Sequence, residues 1–257
     1  QNATEETPLS LAIMKGNNDY FDMVSYLLSK DANPNIKDGN GFSIIEKIIF
    51  ILIYTNKNDS WDEHIVSPIT LNEEMEATLL KFNEDDYIRN IFELMVYKKI
   101  IDYKMFDSQG LPCFFNLVIT QNNYLAGILF RNGADVNQSN DKGKNILEYY
   151  LDFVHDNKIS EVHASEILQN IIKFGINLDH RDEQGATVLH NTLLKNSLTI
   201  TRSLITAGGA IDVVDKKGRT LLHNAIWAND IEKVRFVIGI KKELVNVPDK
   251  LGIIPIN

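Results

Sequence analysis

Histidine is the side chain best suited to move a proton or bind a metal near neutral pH. Two of the six histidines in this 257-residue chain stand in one local phrase, Thr187-Val-Leu-His190 and Thr220-Leu-Leu-His223. They lie 33 residues apart, one per phrase, and neither has a partner at ligand or triad spacing. The single cysteine, Cys113, reads as packed rather than nucleophilic. Asp59, Asp62, Glu63 and His64 are dense enough to suggest a cation site but read better as a solvated acidic loop. No Gly-x-Ser-x-Gly, phosphate-cradling glycine loop or Cys-x-x-Cys pair occurs. No catalytic residue, metal or cofactor is therefore expected.

The elements that hold these histidines recur. Asp182-x-x-Gly185-x-Thr187-x-x-His190 returns as Asp215-x-x-Gly218-x-Thr220-x-x-His223, and begins again at Asp249-Lys-Leu-Gly252. With the phrase glycine as a ruler, the series is Gly41, Gly110, Gly143, Gly185, Gly218 and Gly252, with steps of 69, 33, 42, 33 and 34 residues. Two steps thus carry inserts of 36 and 9 residues. Fourteen and eighteen residues before the six glycines stand Leu27 and Met23, Val96 and Phe92, Leu129 and Leu125, Ile171 and Ile167, Leu204 and Ile200, Ile238 and Val234. All are apolar and four apart, which predicts the buried stripe of a second helix in each repeat. Ten before the ruler, Gly133, Gly175 and Gly208 would end that helix in the left-handed conformation. Asp31, Ile100 and Lys242 occupy the same place elsewhere, so those helices are expected to end differently. Thr7, Thr187 and Thr220 sit at helix N-caps, with Pro8 in the first turn after Thr7. The Asp-x-x-Gly run makes a tight hairpin turn, its glycine permitting positive φ.

A phrase at this period whose ideal form is Thr-Pro-Leu-His-x-Ala resembles the ankyrin repeat. The resemblance implies an all-α fold, an ankyrin-repeat solenoid of stacked helix-turn-helix repeats with β-hairpin-like loops and one long helical insertion. Residues 1–257 then read as a single ankyrin-repeat domain: 3–37, 38–106 with an insertion near 58–86, 107–139, 140–181 with the nine-residue insertion, 182–214, 215–248 and a partial repeat at 249–257. A full extra repeat is the rival for the long insertion, but no second Asp-x-x-Gly phrase lies between Gly41 and Gly110. Within the insertion, Leu71 to Leu80 reads as an amphipathic helix with Met75, Leu79 and Phe82 on one face. The first helix of the second repeat, from Phe42 to about Tyr54, is apolar nearly all round and must be covered on more than one side. In the third repeat Pro112-Cys113-Phe114-Phe115 replaces Thr-Pro-Leu-His.

The resemblance makes His190 and His223 structural, hydrogen-bonding between the hairpins and helix starts of adjoining repeats. It also implies a concave groove lined by hairpin tips and the exposed side of the first helices. Carried over by position, that groove holds Asp141, Lys142, Lys144, Asp152 and Phe153 in the fourth repeat. It holds Arg181, Glu183, Gln184, Leu194 and Lys195 in the fifth, and Lys216, Lys217, Arg219 and Trp227 in the sixth. Trp227 and Phe153 have no evident core duty at those places and suit partner binding. Leu129 and Asp135-Val136-Asn137 resemble the pattern read by the oxygen-sensing asparaginyl hydroxylase, which marks Asn137 as a possible hydroxylation site.

Composition narrows the partners. The chain is 44% hydrophobic and 24% charged, ordinary for a folded domain, with a net charge of −9 and a pI near 5.2. That balance argues against nucleic acid or an anionic membrane as the main partner. The longest apolar run, Ile48–Tyr54, is seven residues, too short to cross a bilayer. Between Asn58 and Asp86, nine acids (Asp59, Asp62, Glu63, Glu73, Glu74, Glu76, Glu84, Asp85, Asp86) face one base, Lys81, for a local charge of −8. That stretch reads as a solvated face, or as a patch that steers a basic partner with Trp61 and Ile65 as its apolar anchor. One cysteine and no signal peptide suggest a reducing, cytoplasmic setting. The start at Gln1 and the stop within a phrase suggest a piece of a longer protein. The texture, rich in Ile, Asn and Lys, resembles ankyrin proteins of intracellular bacteria or large viruses that act on host proteins. The function expected is a non-catalytic protein-interaction module whose partner is another protein or another domain of the same protein. The alternative is the targeting or packing domain of an enzyme whose catalytic domain lies outside the chain.

Overall fold

The computed structural model describes residues 6–15, 18–55, 86–104, 111–112, 114–140, 142–156, 160–195 and 197–255. Gly110, Cys113, Asp141, the helix expected from Leu71, and the acidic stretch apart from Asp86 lie outside the described residues. The chain divides into two compact units, 1–138 and 139–257. The first holds α1 (Pro8–Lys15), α2 (Phe21–Ser29), α3 (Ile44–Thr55), α4 (Asp86–Tyr97), α5 (Phe115–Ile119) and α6 (Asn123–Arg131). The second holds α7 (Ile146–Asp156), α8 (Glu161–Lys173), α9 (Val188–Lys195), α10 (Leu198–Thr206), α11 (Leu221–Trp227) and α12 (Ile231–Ile240). A 3-10 turn, Lys242–Asn246, follows α12. Among the described residues there is no strand, only an isolated antiparallel bridge between Lys37 and Ser43.

Each described hairpin is held by one side-chain oxygen. Oδ1 of Asp215 accepts the backbone N–H groups of Lys217 (2.8 Å) and Arg219 (2.9 Å). Asp182 does the same for Gln184 and Ala186, Asp249 for Leu251 and Ile253, and Asp38 for Asn40 and Phe42. Asn140 serves Lys142 and Lys144 with its amide oxygen, so the geometry needs an acceptor and not a charge. Gly218, at φ +78°, supplies the left-handed residue that turns the chain back. In the second unit neighbouring tips are tied together, Lys216 N–H donating to the Gln184 carbonyl and Lys250 N–H to the Lys217 carbonyl, both at 2.9 Å.

A second asparagine or aspartate turn lies closer to the preceding helix. Asn33, Asp102, Asp135 and Asn177 each accept the N–H two residues on. Asn35 and Asp179 then reach into the following repeat and accept from the N–H groups of Asp102 (3.1 Å) and Ala210 (2.8 Å).

The first helices of the second unit, α7, α9 and α11, stack in succession, and α8 packs on α10 beside them. Of the twelve stripe residues, the eight in the middle repeats are at most 2% exposed. The terminal repeats differ. Met23 is 52% exposed, and Leu27, Val234 and Ile238 are only partly covered. There the buried line runs one residue over, through Val24 and Leu28 in α2 and through Lys233 and Val237 in α12. Among the described residues α2 and α12 have a neighbouring repeat on one side only, and their inward faces are rotated by about the 100° of one residue. Lys233 is tolerated inside because its ammonium donates to the Leu193 carbonyl at 2.9 Å, near the negative end of α9.

Helix ends also depart from the sequence expectation. Asp31 takes φ +61°, doing what Gly133, Gly175 and Gly208 do, and in α4 the left-handed residue is Lys99 rather than Ile100. Aspartate tolerates that region better than most side chains. In α3, Ile44, Ile45, Ile48, Ile49, Phe50, Ile51, Leu52 and Ile53 are all buried, and α4 and α5 pack against it. Lys47 is buried with them and paired to Asp38 at 2.7 Å.

A Cβ on Gly218 would stand 2.8 Å from the Lys250 backbone nitrogen, whereas one on Gly239 in α12 meets nothing within 4 Å. Gly218→Ala is therefore expected to destabilise by about 1–3 kcal/mol or more. Gly239→Ala should stabilise by about 0.5–1 kcal/mol. Urea denaturation of both variants checks the pair.

Candidate functional site

The first helices α9 and α11 each start with a cap that also reaches the next repeat. The Thr187 N–H donates to Nδ1 of His190 at 3.1 Å, so the ring proton resides on Nε2, which donates to the Arg219 carbonyl at 3.2 Å. His223 repeats this with Thr220 and the Ile253 carbonyl, at 3.1 Å each. Both rings are buried. Burial pulls the His190 pKa below the ordinary value of 6.5, against the hydrogen bond to the Arg219 carbonyl and the charge of Asp215. Proton transfer and metal ligation are closed to rings whose two nitrogens are so engaged. Among the described residues no cluster of histidines, cysteines and acids could hold a metal ion.

Glutamate takes the histidine place in two repeats. Glu46 caps Ser43 and is answered by the Ser43 hydroxyl, as Glu148 and Asn145 answer each other at 2.9 and 3.0 Å. Oε2 of Glu148 also accepts from Nδ1 of His180 at 2.9 Å, and the far ring nitrogen of His180 lies 3.3 Å from the Ser139 hydroxyl. Burial pushes the Glu148 carboxyl above its ordinary 4.5, against the Asn145 N–H bond and His180. The pattern Asn145-x-x-Glu148 is a capping-box signature that sequence reading passed over.

The residues carried over to the groove fall on the hairpins and first helices of the second unit. Nine residues after the ruler glycine, Asp152, Leu194 and Trp227 follow one another on α7, α9 and α11. Trp227 is 63% exposed and Leu194 38%. The Arg219 guanidinium lies 4.6 Å from the Trp227 ring centre and is itself held on Asp215 at 2.5–2.6 Å. Burial raises the Asp215 pKa, but the side-chain and backbone hydrogen bonds from Arg219 outweigh it, and the group stays below its usual range. Phe153 is half-buried. Lys142, Glu183, Gln184 and Lys217 are exposed at the tips. Arg181 donates to the Gly185 and Val214 carbonyls and Lys216 to the Glu183 carbonyl, so both clamp adjoining hairpins. Asn137 is half-buried, its N–H on Oδ1 of Asp135. Asp86 is exposed in the first turn of α4.

Between α7 and α9 the same face opens into a cavity of about 200 Å³. Asp152 stands in its wall with one lysine on each oxygen, Lys144 on Oδ2 and Lys195 on Oδ1. Burial works against the Asp152 charge, yet the two lysines hold its pKa below the usual carboxylate value. Asp182, read from the sequence only as a turn residue, and Val188, Asn191 and Thr192, none singled out there, share the lining. Their spacing from the ruler glycine marks a first helix, but no local pattern signals a cavity beside it.

The stacked helix pairs, hairpin turns and interlocking caps define an all-α repeat scaffold of the ankyrin type. Residues 158–249 match the family model for ankyrin repeats (3 copies), and residues 4–39 match that for the ankyrin repeat. The chain belongs to the ankyrin-repeat family. Ankyrin repeats are in general non-catalytic modules that bind other proteins. No curated protein matches the chain. Among the described residues no helix is long and apolar enough to cross a membrane.

The unfolded chain takes up a proton on His190 where the folded protein resists it. The stability that residue contributes is full above pH 6.5 and is lost as pH falls toward its lowered folded value. Glu148, with its raised pKa, acts in the opposite sense from pH 4.5 upward and is common to wild type and variant. Urea unfolding at about pH 7.5 and about pH 5.5 should therefore show wild type losing more stability on acidification than His190→Gln does.

Proposed function

We propose that the second unit grips a partner protein along the face formed by the tips at 142–144, 183–185 and 216–218 and by α7, α9 and α11. The observation that supports this reading is Trp227. It is a large aromatic residue, mostly exposed, stacked by an arginine that is itself fixed by a buried aspartate. Exposing such a ring costs solvation free energy, and fixing it in advance lowers the entropy lost on binding. Leu194 beside it in the series extends the apolar contact, while Lys142, Glu183, Gln184 and Lys217 form a polar rim. An apolar centre with a polar rim is the common anatomy of a protein interface.

The test is capture of a partner from lysate by wild type, Trp227→Ala and Val162→Ala, followed by titration of the protein recovered. Val162 is 74% exposed on α8, away from the first-helix series, and serves as the control. Trp227→Ala should weaken binding tenfold or more, about 1.4 kcal/mol or above, and Val162→Ala should leave it unchanged. Equal binding by Trp227→Ala and wild type would remove the groove reading.

A further inference from the structure

Glu148 lines the cavity between α7 and α9 with its side chain only 3% exposed. Its Oε2 is occupied by the Asn145 N–H and by His180, whereas Oε1 is buried with no hydrogen-bond partner. A buried acceptor left in that state is costly, and native structures rarely keep one without a use. The other charges around the cavity are already engaged. Both oxygens of Asp152 carry lysines. Asp182 accepts two turn N–H groups on Oδ1 and the Asn191 amide, at 3.2 Å, on Oδ2. The lining thus sets three acids against two lysines, with one buried carboxylate oxygen unpaired. Leu151 and Val188 add an apolar wall.

We propose that this cavity receives one cationic side chain, lysine or arginine, from the bound partner. The aliphatic stem would lie against Leu151 and Val188, and the charged head would donate to Oε1 of Glu148. The inference rests on the groove reading above and names the chemistry that the groove selects. The size agrees: about 200 Å³ is below the roughly 300 Å³ at which small-molecule pockets begin. It is also several times the ~30 Å³ of a single water. A lysine or arginine stem can line an apolar wall while its head finds an acceptor. A carboxylate would meet Glu148 as a like charge, and a purely apolar group would leave Oε1 unpaired.

The experiment is an NMR titration of the whole chain with butylammonium, and with 1-butanol and butyrate as controls of similar shape. For so small a probe, affinity near the millimolar range is expected. Butylammonium should shift the amides of Leu151, Val188 and Thr192 saturably, and the two controls should not. Glu148→Gln keeps a carbonyl oxygen for the Asn145 cap but places a donor where an acceptor is needed. It should weaken butylammonium binding at least tenfold while circular dichroism stays unchanged. An equal response to 1-butanol, or none to butylammonium, would overturn the proposal even if Glu148→Gln fails to fold. The two readings separate cleanly, because Trp227→Ala should weaken partner binding tenfold or more and leave the butylammonium response intact. Loss of that response with Trp227-dependent capture retained would sink the cavity alone.

Discussion

At each described hairpin, Oδ1 of Asp38, Asn140, Asp182, Asp215 or Asp249 accepts two turn N–H groups, and the glycine three residues on supplies the left-handed residue. That five-atom cluster of contacts fixes where the tip points and presents its free backbone groups to the next repeat. The ties from Lys216 to Gln184 and from Lys250 to Lys217 depend on it. So does the cap, because the carbonyl that His190 reaches belongs to Arg219, whose own N–H is held by Asp215. Each link is an ordinary hydrogen bond worth on the order of 1 kcal/mol. Their strength lies in sharing atoms, so that losing one loosens several.

A single repeat has no core of its own, and the exposure of the end helices shows it. Phe92 in the first unit and Ile200 in the second, each with a repeat of its own unit before and after it in the chain, are buried, whereas Met23 and Ile253 face water at 52% and 48% exposure. The first helices, pinned at their N-terminal ends by the caps, keep a constant register along α7, α9 and α11. That register sets Asp152, Leu194 and Trp227 in one series and opens the cavity between α7 and α9. The proposed binding face is a by-product of the same turn chemistry that holds the stack.

Much of the fold was legible because its turn residues are irreplaceable. Glycine at positive φ and a short side-chain acceptor before it leave a fixed spacing that survives changes of composition, so Gly41, Gly143, Gly185, Gly218 and Gly252 could be read as a ruler. Asp31 and Lys99 were not legible as helix ends, since a non-glycine residue in the left-handed region carries no mark of its own. The rotated stripe of α2 and α12 was hidden because it depends on which elements pack against those helices rather than on local pattern. Of the site, Lys144, Asp152 and Lys195 were found by position, but their joint ion pair was not. Lys144 meets Asp152 within one repeat, eight residues away, whereas Lys195, 43 away, meets it only through the stack. Glu148 was missed because it stands where the repeat phrase has histidine, although its capping-box spacing with Asn145 is plain in the chain.

The central claim is that one side-chain oxygen per hairpin sustains both the turn and its tie to the next repeat. Native-state hydrogen exchange on Asp182→Asn and Asp182→Ala tests it directly. Asn140 already performs the role with an amide, so Asp182→Asn should keep the Gln184, Ala186 and Lys216 amides protected. Asp182→Ala should expose Gln184 and Ala186, and with them Lys216, whose N–H donates to the Gln184 carbonyl. A Lys216 amide that exchanges at the wild-type rate in Asp182→Ala would contradict the account, since the tie would then stand without the turn.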